Sequence, residues 1–113
     1  MDQLSQTLAA LADPTRRAIL AQLGKRDASV AELASPFQMT PQAVSKHVAV
    51  LERAGLVSRR RESQKNLSHL EAAPLRAVDA WLAEYRRLWT LRLDNIEDVL
   101  DQIQKGDLDD PGS

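Results

Sequence analysis

Between Met39 and Lys65 the chain reads MTPQAVSKHVAVLERAGLVSRRRESQK, and this stretch limits the fold more than any other. Thr40-Pro41 is a helix start. Threonine can accept a hydrogen bond from the first free amides, and proline suits the first helical position because an N–H there has no partner to lose. Apolar spacing carries the helix over about 41–54, and Gly55 fits the stop position just past its end. Leu56 to Arg61 then reads as a strand, residues 63–66 as a polar turn, and Leu67 to Leu70 as the return strand. A capped helix running into a basic β-hairpin leaves few architectures open.

On a helical wheel, Val44, Val48 and Leu51 share one narrow stripe, flanked by His47 and Ala54. Gln42, Ser45, Lys46, Ala49 and Arg53 fall opposite. Such an outward face suits a DNA major groove. Gln pairs bidentately with adenine, Ser serves either base type, and Lys reaches guanine or a phosphate. Base contact concentrates near the N-terminal end of a reading helix, which selects Thr40, Gln42, Ser45 and Lys46. Taken alone, the same face fits a solvated amphipathic helix. Three neighbours favour DNA: a short helix before it across a brief turn (residues 36–39), a hairpin after it, and the basicity of that hairpin.

In a strand, Arg59, Arg60 and Arg61 alternate faces, so at most two share a side. With Lys65 and Asn66 near the tip, the wing can reach a minor groove or the phosphate backbone. Charged residues that protect a strand edge would look alike, and the two roles are compatible.

Upstream, Leu4, Leu8 and Leu11 recur at helical spacing, giving a first helix over about 3–12. Asp13-Pro14 caps and starts a second, about 14–23, with Ile19, Leu20 and Leu23 apolar and Gly24 as the stop. Ser29 and Glu32 form a capping box for a third, about 30–35, whose Val30, Leu33 and Phe37 supply core before Pro36 ends it. Arg16, at the start of the second helix, is either a phosphate contact or a surface charge.

From about Pro74 to Gln104 no Gly or Pro interrupts the pattern. At 1.5 Å per residue that helix is roughly 46 Å long, more than a domain of this size is wide. Leu75, Val78, Leu82, Tyr85, Trp89, Ile96, Leu100 and Ile103 line one stripe, with Arg92 inside it. So much apolar surface calls for a partner, and a second copy related by symmetry is the natural one. Packing on the first helix alone is the other solution. Trp81, Tyr85 and Trp89 could instead line a small-molecule pocket between subunits.

Charge and composition narrow the function. Residues 1–66 hold ten Lys/Arg against six Asp/Glu, and residues 67–113 hold five against ten, so the basic charge gathers on the helix-and-hairpin half. With 113 residues, one domain is expected over 1–105, followed by a disordered acidic tail over 106–113. The absence of Cys excludes disulfides, thiolate ligands and a Cys nucleophile. No apolar run approaches a membrane span and the N-terminus has no signal-peptide core, so the expected compartment is the cytoplasm. Two unrelated His, no Gly-rich phosphate loop and no Glu/His metal spacing argue against an enzyme and against a cofactor or metal.

The segments LADPTRRAIL (11–20), MTPQAVSKHV (39–48) and LERAGLV (51–57), in that order, resemble those of ArsR-type winged helix-turn-helix repressors, over about residues 4–105. The resemblance implies a mainly α fold with a two-stranded β-wing and a long C-terminal dimerisation helix. It implies a homodimer on double-stranded DNA, with contacts from the first and last helices, hence Leu4 and Leu8 beside Val78, Leu82, Tyr85, Trp89, Ile96 and Leu100. It also implies repression by blocking a promoter, often the protein's own, through a palindromic operator. Metal-sensing members carry Cys before the reading helix or Asp/His ligands on the last helix. Here residues 30–35 read VAELAS and the last helix has no His, so the chain is similar to members that do not sense metals. Trp81, Tyr85-Arg86-Arg87 and Trp89 are similar to a subgroup often encoded beside a START-like protein, and the inducer is left open. The competing expectation is a winged-helix protein-interaction module, which has no need of the Ser45-Lys46 and triple-Arg surface.

Overall fold

The computed structural model describes residues 2–109, which form two compact units that divide between Val78 and Asp79. The first holds α1 (Gln3–Leu11), α2 (Pro14–Leu23), α3 (Val30–Ala34), α4 (Pro41–Arg53), β1 (Val57–Glu62) and β2 (Lys65–Leu70). A last helix, α5, runs over Ala73–Asp109.

Each helix of the first unit begins where a side chain can satisfy its free amides. Asp2 accepts from the Ser5 amide at 2.8 Å, and Asp13 Oδ1 from Thr15 at 2.7 Å and Arg16 at 3.2 Å. The expected capping box is present: Ser29 Oγ accepts from the Glu32 amide, and Glu32 Oε1 accepts from the Ser29 amide, both at 3.2 Å. Thr40 Oγ1 accepts from the Ala43 amide at 3.2 Å.

The core is built from the stripes the helices present. Ile19, Leu33, Val44, Val48, Leu51 and Leu56 are fully buried, joining α2, α3, α4 and the entry to β1. Val30, Phe37 and Leu75 are partly buried against them. Helix α1 departs from the leucine stripe: it buries Thr7 and Ala10, while Leu4 is half-buried and Leu8 exposed. Small residues allow close approach, and the buried Thr7 hydroxyl is satisfied by the Gln3 carbonyl at 2.9 Å. Gln3 Nε2 in turn donates to the Ala54 carbonyl at 2.9 Å, tying α1 to the end of α4.

Several expected boundaries shift. Helix α3 ends at Ala34, just before Pro36 as expected, and is followed directly by a 3-10 turn, Ser35–Phe37, which tolerates the proline at its start. Gly24 ends α2 in a right-handed conformation, φ −66°, so its freedom for positive φ is unused. The hairpin is tighter than expected: Glu62 pairs with Lys65, so only Ser63 and Gln64 form the loop, and Lys65 and Asn66 belong to β2. A two-residue loop needs positive φ at one or both positions, and Ser63 supplies it at 56°. Helix α5 continues past Gly106 to Asp109, and residues 110–113 of the expected tail lie outside the described residues.

The outer edge of β2 is covered at one point. Ala28, in the α2–α3 connection, exchanges two backbone hydrogen bonds with Ser68, at 2.8 and 3.2 Å. Strand β2 is thus paired on both sides at that point, and Ser68 is buried.

Candidate nucleic-acid interface

Helix α3 and the turn after it set the approach to α4. The chain reverses through Gln38, whose φ of 56° is left-handed, and reaches Thr40 extended at φ −71°, ψ 150°. The hydroxyl oxygen of Thr40 is engaged as the N-cap of α4, leaving its proton free to donate outward. Because Val44, Val48 and Leu51 are buried, Gln42, Ser45 and Lys46 emerge exposed on the other side of α4. Ala49 is half-buried between the two faces.

All four wing cations are exposed. The register pairs Arg59 with Ser68 and Arg61 with Asn66 on one face, and Arg60 with Leu67 on the other. The structure therefore brings Ser45 of α4 and Arg59 of β1 to the walls of one cleft of about 310 Å³, shared with Ser29, Glu52 and Asn66. Lys65 lies instead in a charged depression with Arg26, Asp27, Glu32 and Glu62. The Ser29 amide, first, and more weakly the Lys65 and Arg26 charges hold the Glu32 carboxyl below its ordinary value.

Two carboxylates facing the arginines, and a histidine behind one of them, were not anticipated from sequence. Glu52 Oε1 accepts from Arg59 Nε at 2.9 Å. Asp27 lies 3.9 Å from Arg60 Nη1 through one oxygen and 2.7 Å from His69 Nδ1 through the other. Glu52 stands one strand entry ahead of Arg59, so its pairing had a faint signal. Asp27 and His69 are 42 positions apart and had none.

Arg16 resolves to a structural role. Its Nε donates to the Ala10 carbonyl at 2.6 Å and its Nη2 to Ala9 at 3.1 Å, while Arg17 Nη1 donates to Leu11 at 2.6 Å. Both cations thus cap the C-terminal carbonyls of α1, where positive charge is favoured. Partial desolvation pushes the Asp13 carboxyl up, but the Arg16 and Thr15 amides outweigh it, aided by the His47 and Arg16 charges, and leave it below its ordinary value.

Residues 11–60 match the model of a family described as "Helix-turn-helix domain". The chain is 35% identical over 92 residues to the HTH-type transcriptional regulator Rv2034 of Mycobacterium tuberculosis, covering 81% of this chain and 83% of that protein. A solved ArsR family transcriptional regulator, RHA00566, superposes with a TM-score of 0.69 at 42% identity, over 78% of this chain and 91% of that one. The chain belongs to the ArsR family of winged helix-turn-helix transcriptional regulators. In this ArsR-family protein α3 and α4 are the helix-turn-helix and β1–β2 the wing, and it is a DNA-binding regulator of transcription. It is also 37% identical over 71 residues to the transcriptional activator HlyU of Vibrio cholerae, over 63% of this chain and 66% of that protein. A second solved neighbour is the homodimeric winged helix-turn-helix DNA-binding domain of Mb0332 from Mycobacterium bovis, a possible ArsR-family regulator. It has 25% identity and a TM-score of 0.59 over 92% of this ArsR-family chain and 83% of that one.

The residues expected at a dimer face are all at least partly open. Leu4 and Val78 are half-buried, and Leu8, Leu82, Tyr85, Trp89, Ile96 and Leu100 are exposed. Trp81 meets Tyr85 edge to face with centroids 5.2 Å apart, and Arg86 pairs with Asp79 at 3.2 Å. Among the described residues no helix is long and apolar enough to cross a membrane, and no three His, Cys, Asp or Glu side chains gather as metal ligands would.

Proposed function

We propose that this protein is a homodimeric repressor that binds a palindromic operator, with Thr40, Gln42, Ser45 and Lys46 reading or clasping the major groove. Arg59, Arg60, Arg61 and Lys65 bind the DNA backbone through the wing. The observation that carries this reading is the exposure of Gln42, Ser45 and Lys46 on the side of α4 opposite its buried stripe, with Arg59 across the same cleft from Ser45.

Dimerisation is supported by the run of exposed apolar residues along α5, which is more than an isolated helix keeps in water, and by the homodimeric state of the Mb0332 domain. Leu4, Leu8, Val78, Leu82, Tyr85, Trp89, Ile96 and Leu100 form the contact. Two reading helices related by a two-fold axis then require half-sites one helical turn, or a multiple, apart. Residues 1–105 act as one functional domain in the cytoplasm. The lack of Cys supports placing the protein with members that do not sense metals, and its aromatic α5 with the branch encoded beside START-like proteins. Repression follows from an operator overlapping a promoter.

The test is binding to the protein's own upstream DNA against random duplex across a salt series. Tight, salt-sensitive binding to a palindromic segment is expected. Lys46→Ala should weaken it by about 1–3 kcal/mol if Lys46 reads a base, and equally on both DNAs if it holds a phosphate. Equal weak binding to operator and random duplex, unaltered by Lys46→Ala, would defeat the reading. A promoter fusion that brightens on deletion of the gene supports repression, and one that dims identifies an activator, as HlyU is named.

A further inference from the structure

The wing's positive charge is partly paired before any DNA arrives. Arg59 Nε is 2.9 Å from Glu52 Oε1 of α4, and Arg60 Nη1 is 3.9 Å from Asp27 Oδ2 of the α2–α3 connection. Both guanidinium side chains are well exposed, at 65% and 61%, while both carboxylates are held closer to the body at 26%. Exposed pairs of this kind contribute little to folding, so their formation and loss cost little. The two acids are also anchored differently from the arginines. Glu52 is carried by a helix whose stripe is buried, and Asp27 is gripped by His69 Nδ1 at 2.7 Å, the tighter of its two contacts. When the arginines leave, the carboxylates stay.

We infer that Glu52 and Asp27 are affinity-setting residues, intramolecular counter-charges that Arg59 and Arg60 exchange for DNA phosphates on binding. The inference rests on the reading of the wing as a DNA contact. On any duplex, exchanging a carboxylate for a phosphate gains less than engaging an unpaired arginine would, and the carboxylate left behind repels the backbone. Base contacts made by α4 on the operator add to binding but leave that loss unchanged. The acids therefore weaken specific and non-specific binding by a similar factor, lowering the wing's electrostatic contribution to both.

The experiment uses the full chain with Glu52→Gln and Asp27→Asn, which keep shape and hydrogen-bonding atoms while removing charge. Each is titrated with a random duplex and with the operator segment across a salt series, with thermal melting to confirm folding. Binding to random duplex should tighten roughly threefold to tenfold per substitution at low salt, with a steeper salt dependence, because counterion release now proceeds without an internal competitor. Operator binding should tighten by a similar factor, so the specificity ratio stays within about twofold. In an Arg59→Ala background the Glu52→Gln gain should disappear, and in Arg60→Ala the Asp27→Asn gain should disappear. Gains of equal size with and without the arginine would mean simple loss of negative charge and overturn the exchange. Unchanged or weaker random-duplex binding would overturn it too. If Arg59→Ala and Arg60→Ala leave both DNAs bound as before, the wing reading itself falls and the exchange with it. If they flatten the salt dependence while the acid substitutions gain nothing, the wing stands and only the exchange is lost.

Discussion

The Leu56 amide donates to the Leu51 carbonyl at 2.9 Å, and Gly55 between them sits at φ +76°. With the Gly55 amide on the Glu52 carbonyl at 3.0 Å, this closes the end of α4 as a Schellman motif. The same turn sends the chain into β1, so one residue links the angle of the reading helix to the wing. A Cβ at Gly55 would meet only Gln3 Nε2 at 3.6 Å and Pro74 Cγ at 3.7 Å, which are ordinary contacts. The obstacle to a side chain is therefore conformational. Gly55→Ala should destabilise by about 1–2 kcal/mol, the cost of left-handed backbone for an L-residue. Urea unfolding checks this, and an unchanged midpoint would mean that the turn relaxes to another conformation.

Leu33 is fully buried between the short α3 and α4. A five-residue helix has little stability of its own, so α3 depends on that anchor. Leu33→Ala should cost about 2–5 kcal/mol. Hydrogen exchange should show α3 opening first, and uniform protection loss across the domain would instead mark α3 as inseparable from the core.

Asp2, Asp13 and Glu32 all have carboxyls held below their ordinary values of 3.8, 3.8 and 4.5. For Asp2 and Glu32 the leading cause is hydrogen bonding at a helix N-terminus, and for Asp13 the capping amides outweigh desolvation. A depressed folded value means that the contribution is complete above the ordinary value and lost as pH falls through the folded one. Stability should hold from neutral pH to about 5 and decline below about 4. Asp13→Asn, which can still cap, should make that decline shallower in thermal melts between pH 2.5 and 7; an unaltered acid limb would remove Asp13 from the account.

Trp89 is 56% exposed on α5, beside exposed Tyr85. If this face joins two copies, Trp89→Ala removes two aromatic anchors per dimer. The loss should reach about 2 kcal/mol per anchor, enough to shift the self-association constant by well over tenfold. Sedimentation velocity across a concentration series reads it, and identical weight-average masses for both proteins would move the dimer contact elsewhere.

Arg59 and Arg60 each face a carboxylate, but Arg61 has no ion pair among the described residues. It should therefore give its full charge to a phosphate. Arg61→Ala should lower the slope of log affinity against log salt by about one, and by more than Arg59→Ala does. Equal slopes for the two variants would show that the Glu52 pairing is irrelevant to DNA.

What was legible in the chain was local. The capping box of Ser29 and Glu32, the Thr40 and Asp13 caps, the Gly55 stop and the Val44–Val48–Leu51 stripe each depend on partners within a turn or two, so spacing alone identifies them. The outward position of Gln42, Ser45 and Lys46 follows from that stripe. What tertiary structure decided was every contact between elements distant in sequence. Arg16, either a phosphate contact or a surface charge by its position in the chain, turns back to the α1 carbonyls because α2 folds against α1. Ala28 becomes a strand partner of Ser68, and Asp27 beside it meets both His69 and Arg60, only because packing brings the α2–α3 connection alongside β2. Helical and strand periods specify which face of an element is buried, but not what an exposed charge on it will meet; that depends on how the elements pack, through contacts that carry no fixed spacing.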